Sequence, residues 1–408
     1  MKLQNLIYAT MVACAFSACS NDDDPNIPDP ALEMDATLTV GFSAIGANNA
    51  PSTFSTPETR SNAEGSEVDK VGIAVFNAGA MSPAMASGAL INYKEQSVTG
   101  STIDSTACID VKSGPVTILV VVNPPAGAFN GINTLENFKT AVTNNVELES
   151  AKPIMSSSTI SVDVKKGRNV IASTTDISKF KDVSNPITEG GNIKVFRNIA
   201  NIQLKSIKLN PREDFKTNAK LSIKKAYIMH YRDGVQFFGE ATPWCKVVNN
   251  NASIVSNKEG GNVSDKYTHI FSLDVTEASP ANDIAKLNGS FFVYDNSSEV
   301  PLSSINATAL VIQGDYSYTT GNGEARTVEN AYWTVYLNNT KAQAGTTNPD
   351  YSDATVHCGV LRNVQYIVNA TITGPGSIDP ETPSEAASLT SNIEVVEWGT
   401  VELNENID

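Results

Sequence analysis

The sequence predicts a mainly all-β protein: two β-sandwich domains in series, one or two short helices, and a strand-forming tail. Three observations carry that expectation. Short apolar segments, alternating or continuously apolar, recur in two blocks punctuated by turn residues, the pattern of sandwich folds. A polar stretch from Asp176 to Gly191, with Pro186 and Gly190-Gly191, divides the blocks. The run Ile372-Thr-Gly-Pro-Gly-Ser-Ile-Asp-Pro-Glu-Thr-Pro383 closes the second block, yet a further strand pattern follows it. The expected divisions are a signal peptide (1–18), a propeptide with the first strand (19–60), two sandwiches (61–190 and 191–383) and the tail (384–408).

Met1 to Cys19 has a positive start, an apolar run too short to span a bilayer, and small residues at its end. Phe16-Ser-Ala-Cys19 resembles a bacterial lipobox, which would make Cys19 the acylated first residue of the processed protein. An ordinary secretory signal with an incidental Cys is the alternative. Ser20-Asn-Asp-Asp-Asp24 resembles the acidic tag of surface lipoproteins of the Bacteroidetes, and reads otherwise as a solvated linker. Next comes Leu38-Thr-Val-Gly-Phe42, a short strand with Leu38, Val40 and Phe42 on one face. The loop from Asn48 to Gly65 has no apolar period, and small polar loop tips of this kind are where proteases cut. Arg60 is the only basic residue between Lys2 and Lys70. A trypsin-like, Arg-specific protease cutting between Arg60 and Ser61 would release the first strand and open a slot in its sheet.

The first block continues with Val71-Gly-Ile-Ala-Val75, which alternates apolar with small residues, and Val116 to Val122, apolar almost throughout and suited to a central strand buried on both faces. Thr134 can cap a helix that places Leu135, Phe138 and Val142 on one side. Ile160-Ser-Val-Asp-Val164 returns to strand. In the second block, strands are expected at Ile202–Leu204, Leu221–Ile223, Phe291–Val293, Ala309–Ile312, Trp333–Leu337 and Val364–Val368.

In the tail, Leu389, Ser391, Ile393 and Val395 share one face of a half-buried strand. The doublet Val395-Val396 predicts a bulge, after which Trp398 leads a second short strand. An apolar strand on a Pro/Gly tether is an aggregation hazard unless it has a designated partner. The slot opened by the cut after Arg60 supplies one: the tail of an identical neighbouring subunit could fill it by strand addition.

Composition narrows the remaining classes. The chain of 408 residues has a formal net charge of −15. Removing residues 1–60 takes away two basic and seven acidic residues, leaving 27 against 37 and a net charge of −10. That balance argues against a nucleic-acid partner, which needs clustered Lys and Arg. Cys108, Cys245 and Cys358 lie beyond the signal region; a Cys245–Cys358 disulfide and small buried hydrophobes are both open readings. His230, His269 and His357 lack metal-ligand spacing, and no phosphate loop, nucleophile elbow or paired catalytic carboxylate stands out. The chain is therefore expected to be no enzyme and to need no cofactor or metal. Trp244, Trp333 and Trp398, with Tyr231, Tyr316 and Tyr318, read as sandwich core, with a glycan platform as the alternative.

Several segments resemble the fimbrillins, the major FimA-type subunits of the type V pili of Bacteroidales: Asp35-Ala-Thr-Leu-Thr-Val40, Val116 to Asn123, Pro153-Ile-Met155 and Arg197-Asn-Ile-Ala-Asn-Ile-Gln-Leu204. More specific are Arg362-Asn-Val-Gln-Tyr366, Ala370-Thr-Ile-Thr-Gly-Pro-Gly376 and Val395-Val-Glu-Trp398. The resemblance runs over essentially the whole chain in the same order. It implies two transthyretin-like Greek-key sandwiches, a lipidated precursor at the outer membrane, and cleavage at the position of Arg60. It further implies an extracellular fimbrium assembled by donor-strand exchange, with minor anchor and tip pilins and an unidentified host or bacterial surface ligand. The rival reading is a monomeric surface lipoprotein acting as an adhesin or glycan-binding module.

Overall fold

The computed structural model describes residues 33–40, 68–79, 85–97, 108–144, 152–172, 174, 177–180, 182–188, 193–238, 250–261, 267–280, 290–337, 358–382, 389–397 and 401–402. It is mainly β, as the segment pattern predicts. The first half contains β1 (Ala36–Val40), β2 (Lys70–Asn77), β3 (Leu90–Ser97), β4 (Cys108–Val111), β5 (Gly114–Val122), helix α1 (Leu135–Lys139), β6 (Val142–Thr143), β7 (Met155–Ser157), β8 (Ile160–Val164), β9 (Gly167–Ile171), β10 (Asn185–Ile187) and β11 (Lys194–Arg197). The second half contains β12 (Ile199–Leu209), β13 (Lys220–Met229), β14 (Tyr231–Arg232), β15 (Val235–Gln236), β16 (Ile254–Val255), β17 (Thr268–Val275), β18 (Ser290–Tyr294), β19 (Asn296–Ser298), β20 (Ala309–Thr319), β21 (Ala325–Tyr336), β22 (Cys358–Val360), β23 (Val364–Ile372), β24 (Leu389–Glu397) and β25 (Val401–Glu402).

In the first half, one sheet runs β10-β9-β1-β4 and a larger one β25-β11-β7-β5-β2-β3, with β8 also paired to β5. Two tight turns carry the chain from one sheet to the other, Lys112-Ser113 between β4 and β5, and Lys165-Lys166 between β8 and β9. Residues Val116 to Val122 are buried throughout, as expected of a central strand. Helix α1 starts where its cap predicts: the Asn137 N–H donates to Thr134 Oγ at 3.2 Å, and Phe138 is fully buried. It ends sooner than the apolar spacing suggests. Val142 begins β6 instead and pairs with Gln236 of β15, because a sheet partner outweighs three residues of helical periodicity. The polar stretch before Gly191 also carries a strand, β10, lying parallel to β9.

The chain leaves the larger first-half sheet at Arg197 and enters the second-half sheet β18-β12-β23-β24 at Ile199. That sheet faces β17-β13-β20-β21 across a core of Ile202, Leu204, Ile223, Leu310, Tyr366 and Trp333 among others. Trp333, Tyr231 and Tyr316 belong to this core, as the aromatic pattern predicts; Trp244 and Trp398 lie outside the described residues. A second cluster joins the halves. Phe129 stacks on Phe138 with centroids 4.0 Å apart and meets Phe237 at 4.7 Å, beside Phe292 and Tyr294.

Beneath that cluster lies a polar junction built from the two Arg-Asn dipeptides. Arg362 Nη1 donates to Asn198 Oδ1 at 3.2 Å, while Arg197 Nη1 donates to Asn363 Oδ1 at 3.4 Å, so each arginine reaches the other's asparagine. Arg362 Nη2 also pairs with Asp295 Oδ1 at 2.7 Å and bonds the Gln236 carbonyl at 2.8 Å. Asp295 and Arg362 are almost fully buried; desolvation pushes the Asp295 carboxyl up, and Arg362 opposes it.

Candidate functional site

Strand β1 is an interior strand. It pairs antiparallel with β4 from Ala36↔Val111 to Thr39↔Cys108, and parallel with β9 from Ala36↔Gly167 to Val40↔Ile171. Leu38 is fully buried and Val40 nearly so, each side chain contributing roughly 1.5–3 kcal/mol of apolar burial. Phe42 lies outside the described residues.

The residue before β1 ties it down. Asp35 accepts from the Ser113 N–H at 2.7 Å and the Ser113 hydroxyl at 2.8 Å, with Lys112 and Lys166 Nζ each 3.6 Å away. The Ser113 backbone bond, seconded by its hydroxyl and the two lysines, holds the carboxyl down at about 2 against the desolvation that would raise it. Its own carbonyl accepts from Gly167 N at 3.1 Å. One short acidic residue thus fastens both sheet-crossing turns. No periodicity marks it; the only signal in the sequence is an acid directly before an alternating strand.

The tail forms two strands in the expected places but seats them on its own subunit. Strand β24 pairs antiparallel with β23 over nine positions, Ile372↔Leu389 through Val364↔Glu397, at the sheet edge. Leu389 and Ile393 are half-buried against the second-half core, while Ser391 is exposed. Val395 lies opposite Tyr366. The bulge expected at Val395-Val396 is absent, because the regular partner β23 imposes an unbroken register. Beyond Trp398, which lies outside the described residues, β25 covers the edge of β11 with Val401 opposite Val195. The tail therefore adds burial to its own core.

The root of the tail is clasped. Ser377 and Tyr332 exchange two backbone bonds at 2.8 and 2.9 Å, and Thr334 Oγ donates to the Pro380 carbonyl at 2.7 Å. Gly376 has φ +76° and lies where a Cβ would meet Trp333 at 2.8 Å, so only glycine fits there. Lys258 Nζ reaches Glu381 at 2.9 Å and Asp379 at 3.2 Å, and the buried His230 Nε2 lies 3.1 Å from Glu381. Lys258 and then His230 hold the Glu381 carboxyl below its ordinary range; the Glu381 backbone N–H does most of the same for Asp379. A carboxyl held low stabilises the folded clasp above the ordinary carboxylate range, and that stabilisation is lost as pH falls through the lowered values. Lowering the pH from neutral through the lowered carboxylate range should thus loosen residues 377–382 before the sandwich unfolds. Amide hydrogen exchange at Ser377 and Tyr332 checks this; protection unchanged by acid would count against it.

Cys19, Arg60, Ser61, Cys245 and His357 lie outside the described residues. Cys358 is buried in β22, and Cys108 carries a free thiol on β4, opposite Thr39. His269 Nε2 contacts the Ser290 carbonyl at 3.0 Å and its ring packs on Phe291. Among the described residues, no group of His, Cys, Asp and Glu could hold a metal ion, and no helix is long and apolar enough to cross a membrane.

Residues 199–398 match the family model of the FimA4 pilin C-terminal domain. A Porphyromonas gingivalis fimbrilin is similar over 92% of this chain and 100% of its own, at 17% identity and a TM-score of 0.53. A Parabacteroides distasonis protein, provisionally described as a cell adhesion protein, covers 89% of this chain and 99% of its own, at 18% identity and a TM-score of 0.62. A Bacteroides eggerthii protein of the same description covers 93% and 99%, at 16% identity and a TM-score of 0.52. No curated protein sequence matches the chain. The chain has the fold of these proteins, and its residues 199–398 match the FimA4 pilin C-terminal domain, in agreement with the resemblance read from its sequence.

Proposed function

We propose that the chain is the shaft subunit of a cell-surface pilus, exported as a lipoprotein through Cys19, activated by cleavage between Arg60 and Ser61, and polymerised by donor-strand exchange. The observation that supports this most is the placement of β1. It is a whole strand inside a sheet, and the chain would lose it to one cut in the following loop. Leu38, Val40 and Phe42 would leave with the propeptide, and Leu389, Ser391, Ile393, Val395 and Trp398 of the next subunit would take their place. In this reading residues 61–190 and 191–383 are the two sandwich domains and 384–408 the donor tail. The lipidated precursor sits at the outer membrane and the mature subunit in an extracellular fimbrium. Identical subunits, anchor and tip pilins and an Arg-specific protease are its partners, and its role is structural, not enzymatic.

Limited trypsin treatment of the purified precursor tests the first step. A stable product beginning at Ser61 should form and, once the propeptide is released, assemble into SDS-resistant ladders visible as filaments by electron microscopy. Arg60→Ala should remain monomeric with β1 in place. A dominant N-terminus inside the sandwich would overturn the loop assignment.

The second reading is the monomeric adhesin. It draws on the tail lying along its own β23. It predicts that cleavage after Arg60 leaves the protein monomeric.

A further inference from the structure

We propose that the slot vacated by β1 contains a carboxylate-binding site, and that a glutamate on the tail of a second copy of the chain occupies it. The inference rests on the strand-exchange reading and adds what sets the register of the exchange. The site is built and, in this structure, filled by the chain's own carboxylate. Four donors converge on Asp35: the Ser113 N–H at 2.7 Å, the Ser113 hydroxyl at 2.8 Å, and Lys112 and Lys166 Nζ, each at 3.6 Å. The Asp35 and Lys112 side chains are only 17% and 16% exposed, so the pair is held within the protein surface and not extended into water. Lys112-Ser113 follows β4 and Lys166 precedes β9, the two strands that wall the slot.

Cleavage after Arg60 and loss of the propeptide would remove Asp35 and leave these donors without their acid. An unmatched part-buried N–H and the largely covered Lys112 ammonium are costly to leave without an acid, and Lys166, 81% exposed, adds its attraction from the solvent side. They favour an incoming strand that restores a carboxylate at this point. The tail is suited to do so. Residues 387–408 contain Glu394, Glu397, Glu402, Glu405 and Asp408 and no Lys or Arg. Since a slip of one residue turns every side chain of a strand to the opposite face, a single fixed carboxylate also decides which tail residues point into the core.

The test uses full-length precursor cleaved by trypsin, with polymerisation followed by light scattering and electron microscopy. The double variant Lys112→Gln/Lys166→Gln should slow polymerisation tenfold or more, while Lys112→Arg/Lys166→Arg should retain most of the wild-type rate. The melting temperature of the cleaved monomer should be unchanged or higher in the Gln variant, because its carboxylate partner has already gone; a purely structural role would lower it. Among Glu394→Gln, Glu397→Gln and Glu402→Gln, one should reproduce the slow rate, and combining it with the lysine variant should add little. A wild-type rate in the lysine variant, no slowed glutamate variant, or effects that multiply would each overturn the site. If the double lysine variant fails to fold, the glutamate scan alone decides. Strand exchange itself is judged separately: it fails if cleaved subunits lacking residues 387–408 still polymerise.

Discussion

Deleting residues 387–408 is expected to leave a folded, cleavable subunit that cannot form filaments. Strand β23 keeps its parallel partner β12 when the tail is gone, and its residues Val364 to Val368 stay in the core. What the subunit loses is the outer ladder on β23, the short β25 ladder on β11, and the half-burial of Leu389 and Ile393, the last a cost of about 2–3 kcal/mol from apolar area. A domain of ordinary stability survives that. Ile393→Asp should abolish assembly nearly as well, since an unpaired carboxylate in an apolar slot costs several kcal/mol. Glu394→Asp, which keeps the charge pattern, should not. The truncated subunit retains its own slot, so it should cap growing chains. Mixed with full-length subunits before cleavage, it should shorten filaments in proportion to its share. Full-length filaments from truncated protein alone would exclude strand exchange through this tail, and failure to fold would favour the monomeric reading.

Arg362→Met is expected to be the most destabilising single substitution at the junction between the halves, by about 3–5 kcal/mol. It strips Asp295 of its ion pair at full burial and removes a donor from the Gln236 carbonyl, while the Phe237 carbonyl and Asn198 Oδ1 keep the Ser156 hydroxyl as a donor. Most of the loss is the penalty of a buried unpaired charge. Adding Asp295→Asn to Arg362→Met should therefore recover a good part of it, and a double-mutant cycle by chemical denaturation measures how much. A loss under about 1 kcal/mol for Arg362→Met would show that the junction is solvated and not a lock. Because the same arginine bonds the Phe237 carbonyl, the variant should also loosen the packing of Phe129 on Phe237, visible as lost near-ultraviolet circular dichroism.

The all-β class, the central position of β5, the cap at Thr134 and the existence of two tail strands were legible in the sequence, because each is a local pattern. Alternation, a continuous apolar run, a Thr before a helical turn and a Gly/Pro-rich break act over a few residues and need no partner to be recognised. The core placement of Leu38, Val40 and Trp333 followed from the same local patterns. Where those patterns misled, a partner from far along the chain was responsible. Val142 continues a helical face in sequence, but β15, about ninety residues later, draws it into a ladder. Val395-Val396 looks like a bulge, but an unbroken β23 opposite keeps it regular.

The features that only the tertiary structure decided are polar and long-range. Asp35 looks like any surface acid until the β4–β5 and β8–β9 turns bring Ser113, Lys112 and Lys166 around it. The dipeptides Arg197-Asn198 and Arg362-Asn363 stand out in the sequence only as matching segments; their exchange of hydrogen bonds exists because parallel pairing of β12 with β23 sets them side by side. The tail's own chemistry specifies an apolar strand in need of an edge, and the fold supplies β23 as the edge within reach. Hydrophobic periodicity is written locally, since burial depends on one face of one element. A hydrogen bond or ion pair depends on where two distant atoms finish, and that is decided when the sheets assemble.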